Sequence, residues 1–221
     1  MRWGCFGGQV LHRIWTAACL AADLPAATVL HATCGEADLA VWRTATGRVA
    51  AWTDRCPHRG MRLSHGFVRG EALSCIYHGW TYGADGACRR IPAHPEVVPP
   101  ASIRAEVFSV IEADGIVWVA PQGTTAAPPD LAGFEPVRAL TVNQSLAGID
   151  AHLGGAFSPP GGALRKSHIQ GQSVGLWLQP LGPDRLTLVG LIGAGAGVAP
   201  RVMLSRWLED LRRRAETKVT A

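Results

Sequence analysis

The chain has 221 residues, 48% of them hydrophobic and 17% charged, with a net charge of +4. It is long enough for one generous domain or two small ones, and it lacks the blocks of like charge that mark disordered or nucleic-acid-binding chains. Six cysteines are too few for a disulfide scaffold, and Cys5, Cys19, Cys34 and Cys88 show no paired spacing, which fits a reducing cytoplasm.

The first apolar run, Ile14 to Ala22, is nine residues long, too short to span a bilayer. A cleaved leader is the alternative reading of that run. Ala37 to Arg43 and Arg48 to Thr53 flank Thr46-Gly47 and predict a β-hairpin, and Val107 to Ala120 predicts another around Asp114-Gly115. Residues 123–133, rich in Pro, Gly, Thr and Ala, cannot supply a core face and read as a linker between residues 1–122 and 134–221. Beyond it, Ser173 to Pro180 and Arg185 to Ile192 predict strands. Met203, Trp207 and Leu211 predict an amphipathic helix after Pro200. The basic run Arg212-Arg213-Arg214 suits the negative end of that helix dipole. Gly193 to Gly197 has the composition of a dinucleotide loop, but the 24 residues after it leave no room for a βαβ unit. The first part is thus predicted to be mainly β, the second a short α+β segment.

The chemistry concentrates in CPHRGMRLSHGFVRGEALSCIYHGW, residues 56–80, with Cys56-Pro-His58 and Cys75-Ile-Tyr-His78 set sixteen residues apart. Thiolate and imidazole suit both iron and zinc, so two such pairs on tight turns can converge on either metal. Zinc fingers usually set the His pair apart from the Cys pair, which weighs against a structural zinc site. His65 and His94 lie near these loops and read as surface histidines, while Trp80 and Tyr82 read as packing that excludes water.

Cys-Pro-His-Arg-Gly at 56–60 and Cys-Ile-Tyr-His-Gly-Trp at 75–80 resemble the Rieske [2Fe-2S] fold, and residues 10–121 resemble the N-terminal domain of Rieske non-haem iron oxygenases of the demethylating and monooxygenating kind. The resemblance implies an antiparallel β-sheet domain binding a [2Fe-2S] cluster. Cys56 and Cys75 would hold the iron that stays ferric, and His58 and His78 the iron that changes valence. It also implies an electron donor, a reductase or ferredoxin, together with an oxygenase partner chain and an oligomer, but no membrane. Met61, Tyr77 and Trp80 occupy the places where membrane-complex relatives carry a disulfide and a serine donor. Fewer donors to sulfur predict a potential at the low end of the Rieske range.

The oxygenases of that family continue into a catalytic domain with a mononuclear iron on two His and a carboxylate. Here the nearest string offers Asn143, Asp150 and His152. Phe157 stands where the second His belongs, and no His follows until His168. Asp150 and His152 are the catalytic candidates, and a plain surface role is the simpler reading of both. Three functions follow. One is an electron-transfer Rieske protein serving iron in a partner chain. The second is a self-contained oxygenase using Asp150, His152 and His168, and the third is a vestigial or zinc-filled site.

Overall fold

The structure, a computed structural model, describes residues 15–35, 37–158 and 163–217. Cys5 and Ile14 lie outside the described residues. The fold is mainly β with antiparallel strands, and it divides into two units, Met1–Pro129 and Asp130–Ala221.

In chain order the first unit holds β1 (Thr16–Leu20), β2 (Thr28–Cys34), β3 (Ala37–Arg43), β4 (Val49–Thr53), β5 (Phe67–Arg69), β6 (Ala72–Ser74), β7 (Thr81–Gly83), β8 (Cys88–Arg90), β9 (Val107–Ala113) and β10 (Ile116–Ala120). A six-stranded sheet runs β1-β10-β9-β4-β3-β2, and a small sheet runs β5-β6-β7-β8. Alternation along β3 serves two cores. Leu39 and Val41 pack with Leu24, Phe108 and Val119, whereas Ala40 and Trp42 pack with Trp52, Leu63, Leu73 and Tyr82 on the side of the small sheet. Both predicted hairpins are present. Asp114 and Gly115 have φ of 51° and 72°, the left-handed pair that a two-residue hairpin turn requires. From Thr16 onward the first apolar run is edge strand β1, paired with β10.

The small sheet is anchored by aromatics. Trp42 and Trp52 meet edge to face at 4.9 Å, and Trp52 meets Tyr82 the same way at 6.2 Å. Behind it, Gly86 at φ +80° lies so close to Ala105 that a Cβ there would stand 2.6 Å from the carbonyl oxygen and 2.7 Å from Val107 Cγ2. Gly86→Ala is expected to cost about 2 kcal/mol through this clash and the left-handed backbone, read as a lowered denaturation midpoint.

The second unit holds β11 (Phe134–Val142), α1 (Leu146–Leu153), β12 (Leu164–Ile169), β13 (Gln172–Gly182), β14 (Arg185–Gly193) and α2 (Val198–Glu216), with sheet order β11-β14-β13-β12. Alternate residues Val174, Leu176 and Leu178 of β13 and Leu186, Leu188 and Ile192 of β14 pack with Leu204, Leu208, Leu211 and Ala215 of α2. The buried stripe of α2 is therefore Leu204-Leu208-Leu211-Ala215, with Trp207 half-buried beside it. The helix also begins at Val198, before Pro200, because the first turn leaves its N–H groups without intrahelical partners and so tolerates proline. Residues 123–129 stay with the first unit, where Trp15 Nε1 donates to the Ala126 carbonyl at 2.7 Å.

Candidate metal centre

The two Cys-His motifs form a matched pair of turns. In the first, Cys56 N–H donates to Met61 O at 2.8 Å and Gly60 N–H to Cys56 O at 2.8 Å. In the second, Cys75 N–H donates to Trp80 O at 2.9 Å and Gly79 N–H to Cys75 O at 3.0 Å. Gly60 and Gly79 close these turns at φ of 72° and 68°, a conformation that opposes most side chains, which explains the Gly that follows each motif. The second turn joins β6 to β7, and the first follows β4 directly.

The turns bring the four side chains into two layers. Cys56 and Cys75 are buried in the core formed by Trp52, Leu73 and Tyr82. His58 and His78 lie outward, their ring centroids 4.7 Å apart. Trp80 stacks flat on His58, 4.2 Å away at 5°, and Tyr77 packs against the His78 ring at 3.9 Å. His58 is half-buried while His78 is exposed.

Protonation follows this layering. Burial pushes the Cys75 thiol up, opposed by the backbone N–H groups of Tyr77 and His78. Loss of solvent, then the neighbouring His78 and Arg59, pull His58 down, so its ring favours the neutral form that ligates metal. Burial first, then its bond to Cys56, raises the Tyr82 phenol, which stays a proton donor.

Two observations test whether these residues suit a two-iron cluster. The Nδ1 of His58 is buried without a hydrogen-bond partner, a costly arrangement that a metal relieves. Among the described residues no three His, Cys, Asp or Glu side chains gather around one metal position. A [2Fe-2S] cluster of mixed ligation does not need three, since each iron takes only two protein ligands. The donor set fits.

A donor to sulfur that is not apparent from the motif is Tyr82, which lies opposite Leu73 in the β6–β7 register and whose hydroxyl stands 3.1 Å from Cys56 Sγ. It is more than a water-excluding ring, and it works against the low potential expected from the missing serine. Tyr82→Phe is expected to lower the midpoint potential by about 60 mV, the one-electron equivalent of about 1.4 kcal/mol. Electrochemical titration of both proteins measures it.

The catalytic candidates are placed differently. Asp150 lies in α1 and forms an ion pair with Arg165, whose Nη2 donates to Asp150 Oδ2 at 3.1 Å. Arg165 is 1% exposed. His152, two residues along the helix and thus turned away, is exposed, and its Nδ1 lies 2.8 Å from the Gly148 carbonyl oxygen. His168 is exposed on β12. The structure does not assemble Asp150, His152 and His168 into a triad. Asp150 is instead the counter-charge of a buried guanidinium. His65 and His94 are exposed as well.

Comparison with known proteins agrees with the geometry. Residues 14–109 match the Rieske [2Fe-2S] domain. Oxidoreductase NdmD of Pseudomonas putida is 40% identical over 142 residues, covering 62% of this chain and 24% of that protein. The oxygenase component of dicamba O-demethylase from Stenotrophomonas maltophilia is 38% identical over 91 residues, covering 41% and 26%. The matches thus span about a quarter of each relative's length. Among solved structures, NdmA of Pseudomonas putida CBB5 superposes with a TM-score of 0.72 at 17% identity, covering 96% of this chain and 83% of that one. Dicamba monooxygenase bound to dicamba gives 0.73 at 20%, covering 95% and 85%. These superpositions show a shared fold. No helix among the described residues is long and apolar enough to cross a membrane. Residues 14–109 are thus a Rieske domain, which binds a [2Fe-2S] cluster, and this part of the chain is similar to Oxidoreductase NdmD and to the oxygenase component of dicamba O-demethylase.

Proposed function

We propose that this chain is the one-electron station of an oxygenase-type system in a reducing cytoplasm. It accepts single electrons from an NADH-linked reductase or a ferredoxin and passes them to a mononuclear iron in a partner chain. The observation that carries this reading is the two-layered site, with thiols inside and an exposed imidazole outside, set against an Asp150 already committed to Arg165. Cys56 and Cys75 would hold one iron, and His58 and His78 the other. Bound there, the cluster supplies storage for one electron. The residues around it do the rest. Trp52, Leu73 and Tyr82 keep water from the sulfurs, Trp80 fixes the His58 ring, and His78 presents its edge to a docked protein.

The fold shared with whole oxygenase chains favours a second reading, a self-contained oxygenase with iron on Asp150 and His152. That reading requires Asp150 to leave Arg165. Iron analysis separates the two: about two irons per chain for the first, about three for the second. Single turnover of the reduced protein with O₂ and methoxylated or N-methylated aromatics is expected to yield no product. About one equivalent of product, lost in Asp150→Asn with the cluster intact, would overturn the first reading.

A further inference from the structure

Eight large hydrophobic side chains are exposed among the described residues, and five of them, Phe67, Ile76, Tyr77, Val97 and Val98, belong to residues 67–98. Ile76 and Tyr77, 58% and 56% exposed, directly precede His78. Pro92 lies against the same turn, where a Cβ on Gly79 would stand 3.1 Å from its Cγ. Two successive backbone turns, His94 N–H to Ile91 O and Val97 N–H to His94 O, carry that segment on to Val97 and Val98. Single exposed apolar residues are ordinary, but a group of them beside a redox ligand marks a contact surface.

The charge around this group is mainly positive, with Glu96 beside Val97 an exposed carboxylate within it. Residues 54–104 contain seven arginines against four acidic residues and no lysine. Asp54 is buried and held by Ser64 and Arg62, Asp85 pairs with Arg89, and the Glu71 carboxylate accepts from Thr46. Arg55, Arg59 and Arg90 are exposed and form no ion pair with a described carboxylate. Arg59 adjoins His58, and Arg55 Nη1 would lie 3.8 Å from a Cβ on Gly60, so both flank the first turn.

We propose that the His78 face is the docking surface for an acidic one-electron carrier protein, with Ile76 and Tyr77 as its apolar centre and Arg55 and Arg59 as the rim that attracts and orients the carrier. This rests on the electron-transfer reading above and names its partner by chemistry. The positive rim fits a carboxylate-rich surface and repels a basic one, and guanidinium forks suit carboxylates. In the step, the reduced carrier loses one electron and the oxidised cluster gains it, with no bond made or broken.

The test uses the cluster-loaded full chain and, as probe, an acidic plant-type [2Fe-2S] ferredoxin that has been chemically reduced. Stopped-flow absorbance follows reduction of the chain over a range of salt concentrations. Arg59→Glu and Arg55→Glu are expected to slow the bimolecular rate about tenfold each at low salt, and the difference should shrink at high salt as screening sets in. Tyr77→Ser should slow it at every salt concentration, and Arg48→Glu, on the β3–β4 turn, should leave it unchanged. Rates that ignore both salt and the arginine reversals would overturn the proposal, as would reversals that accelerate transfer. Sedimentation showing that Tyr77→Ser dissociates an oligomer without slowing transfer would assign the face to a second copy of the chain and overturn it too. Dithionite reduction of every variant keeps the two ideas apart. A wild-type chain that dithionite cannot reduce sinks the electron-transfer reading itself, whereas full dithionite reduction with charge-blind ferredoxin kinetics sinks only the docking surface.

Discussion

Cys75→Ala and His78→Ala proteins are expected to purify with almost no iron and no visible absorption. With Cys75 and His78 as the proposed ligands, each substitution would leave one iron with a single protein ligand, and a cluster with an open position is lost to solvent and oxygen. The two variants differ in what else they disturb, and the difference makes the test sharp. Cys75 is 2% exposed inside the core with Trp52 and Tyr82, so its loss also leaves a small cavity worth about 1 kcal/mol. His78 is exposed and supports no core packing, so His78→Ala should leave the apo protein's denaturation midpoint unchanged while abolishing iron binding. His78→Cys supplies a further check. A thiolate adds negative charge, so any cluster retained should have a lower potential than the parent. Full absorbance and two irons in His78→Ala would refute its role as ligand.

In the second unit the largest expected effect is on stability. Arg165→Ala should destabilise the chain, and Asp150→Ala should do so more, by about 3 kcal/mol, because it removes the carboxylate paired with a 1%-exposed guanidinium. Replacing both, Arg165→Met with Asp150→Leu, should recover most of the loss, since two apolar side chains of similar volume need no counter-charge in that position. Thermal and denaturant unfolding of the three proteins gives the comparison. Iron content should stay constant throughout. A fall in iron with Asp150→Ala, without a fall in stability, would move Asp150 from the ion pair to a metal site.

The two cluster turns were legible because a few residues specify them: Cys and His at fixed spacing, and Gly where the backbone turns left-handed. The hairpin at Asp114-Gly115 was legible for the same reason, and the β13–β14 strands through their apolar runs. The small sheet was not. Strands β5 to β8 are three residues each, too short for a period-2 pattern to stand out, and they are held by register and by the Trp42-Trp52-Tyr82 contacts that no local window contains. From sequence Tyr82 shows only a shielding ring, because its hydrogen bond to Cys56 spans 26 positions. Asp150 looked like half of an iron motif because its partner, Arg165, carries no signature in sequence. The buried face of α2 shifted by one residue, from Met203 to Leu204, because 4-residue spacing is satisfied equally well by neighbouring stripes.

The flat stacking of Trp80 on His58, together with the closed turns beneath, bears on speed. An electron arriving at a soft site must wait for rings and loops to rearrange, and that rearrangement sets the activation barrier. Here the His58 ring is clamped on one face, and both turns are already tied by paired backbone bonds. The oxidised and reduced forms should therefore share nearly one geometry. The reorganisation energy of exchange is then small, and transfer can be fast even when the driving force between carrier and cluster is slight.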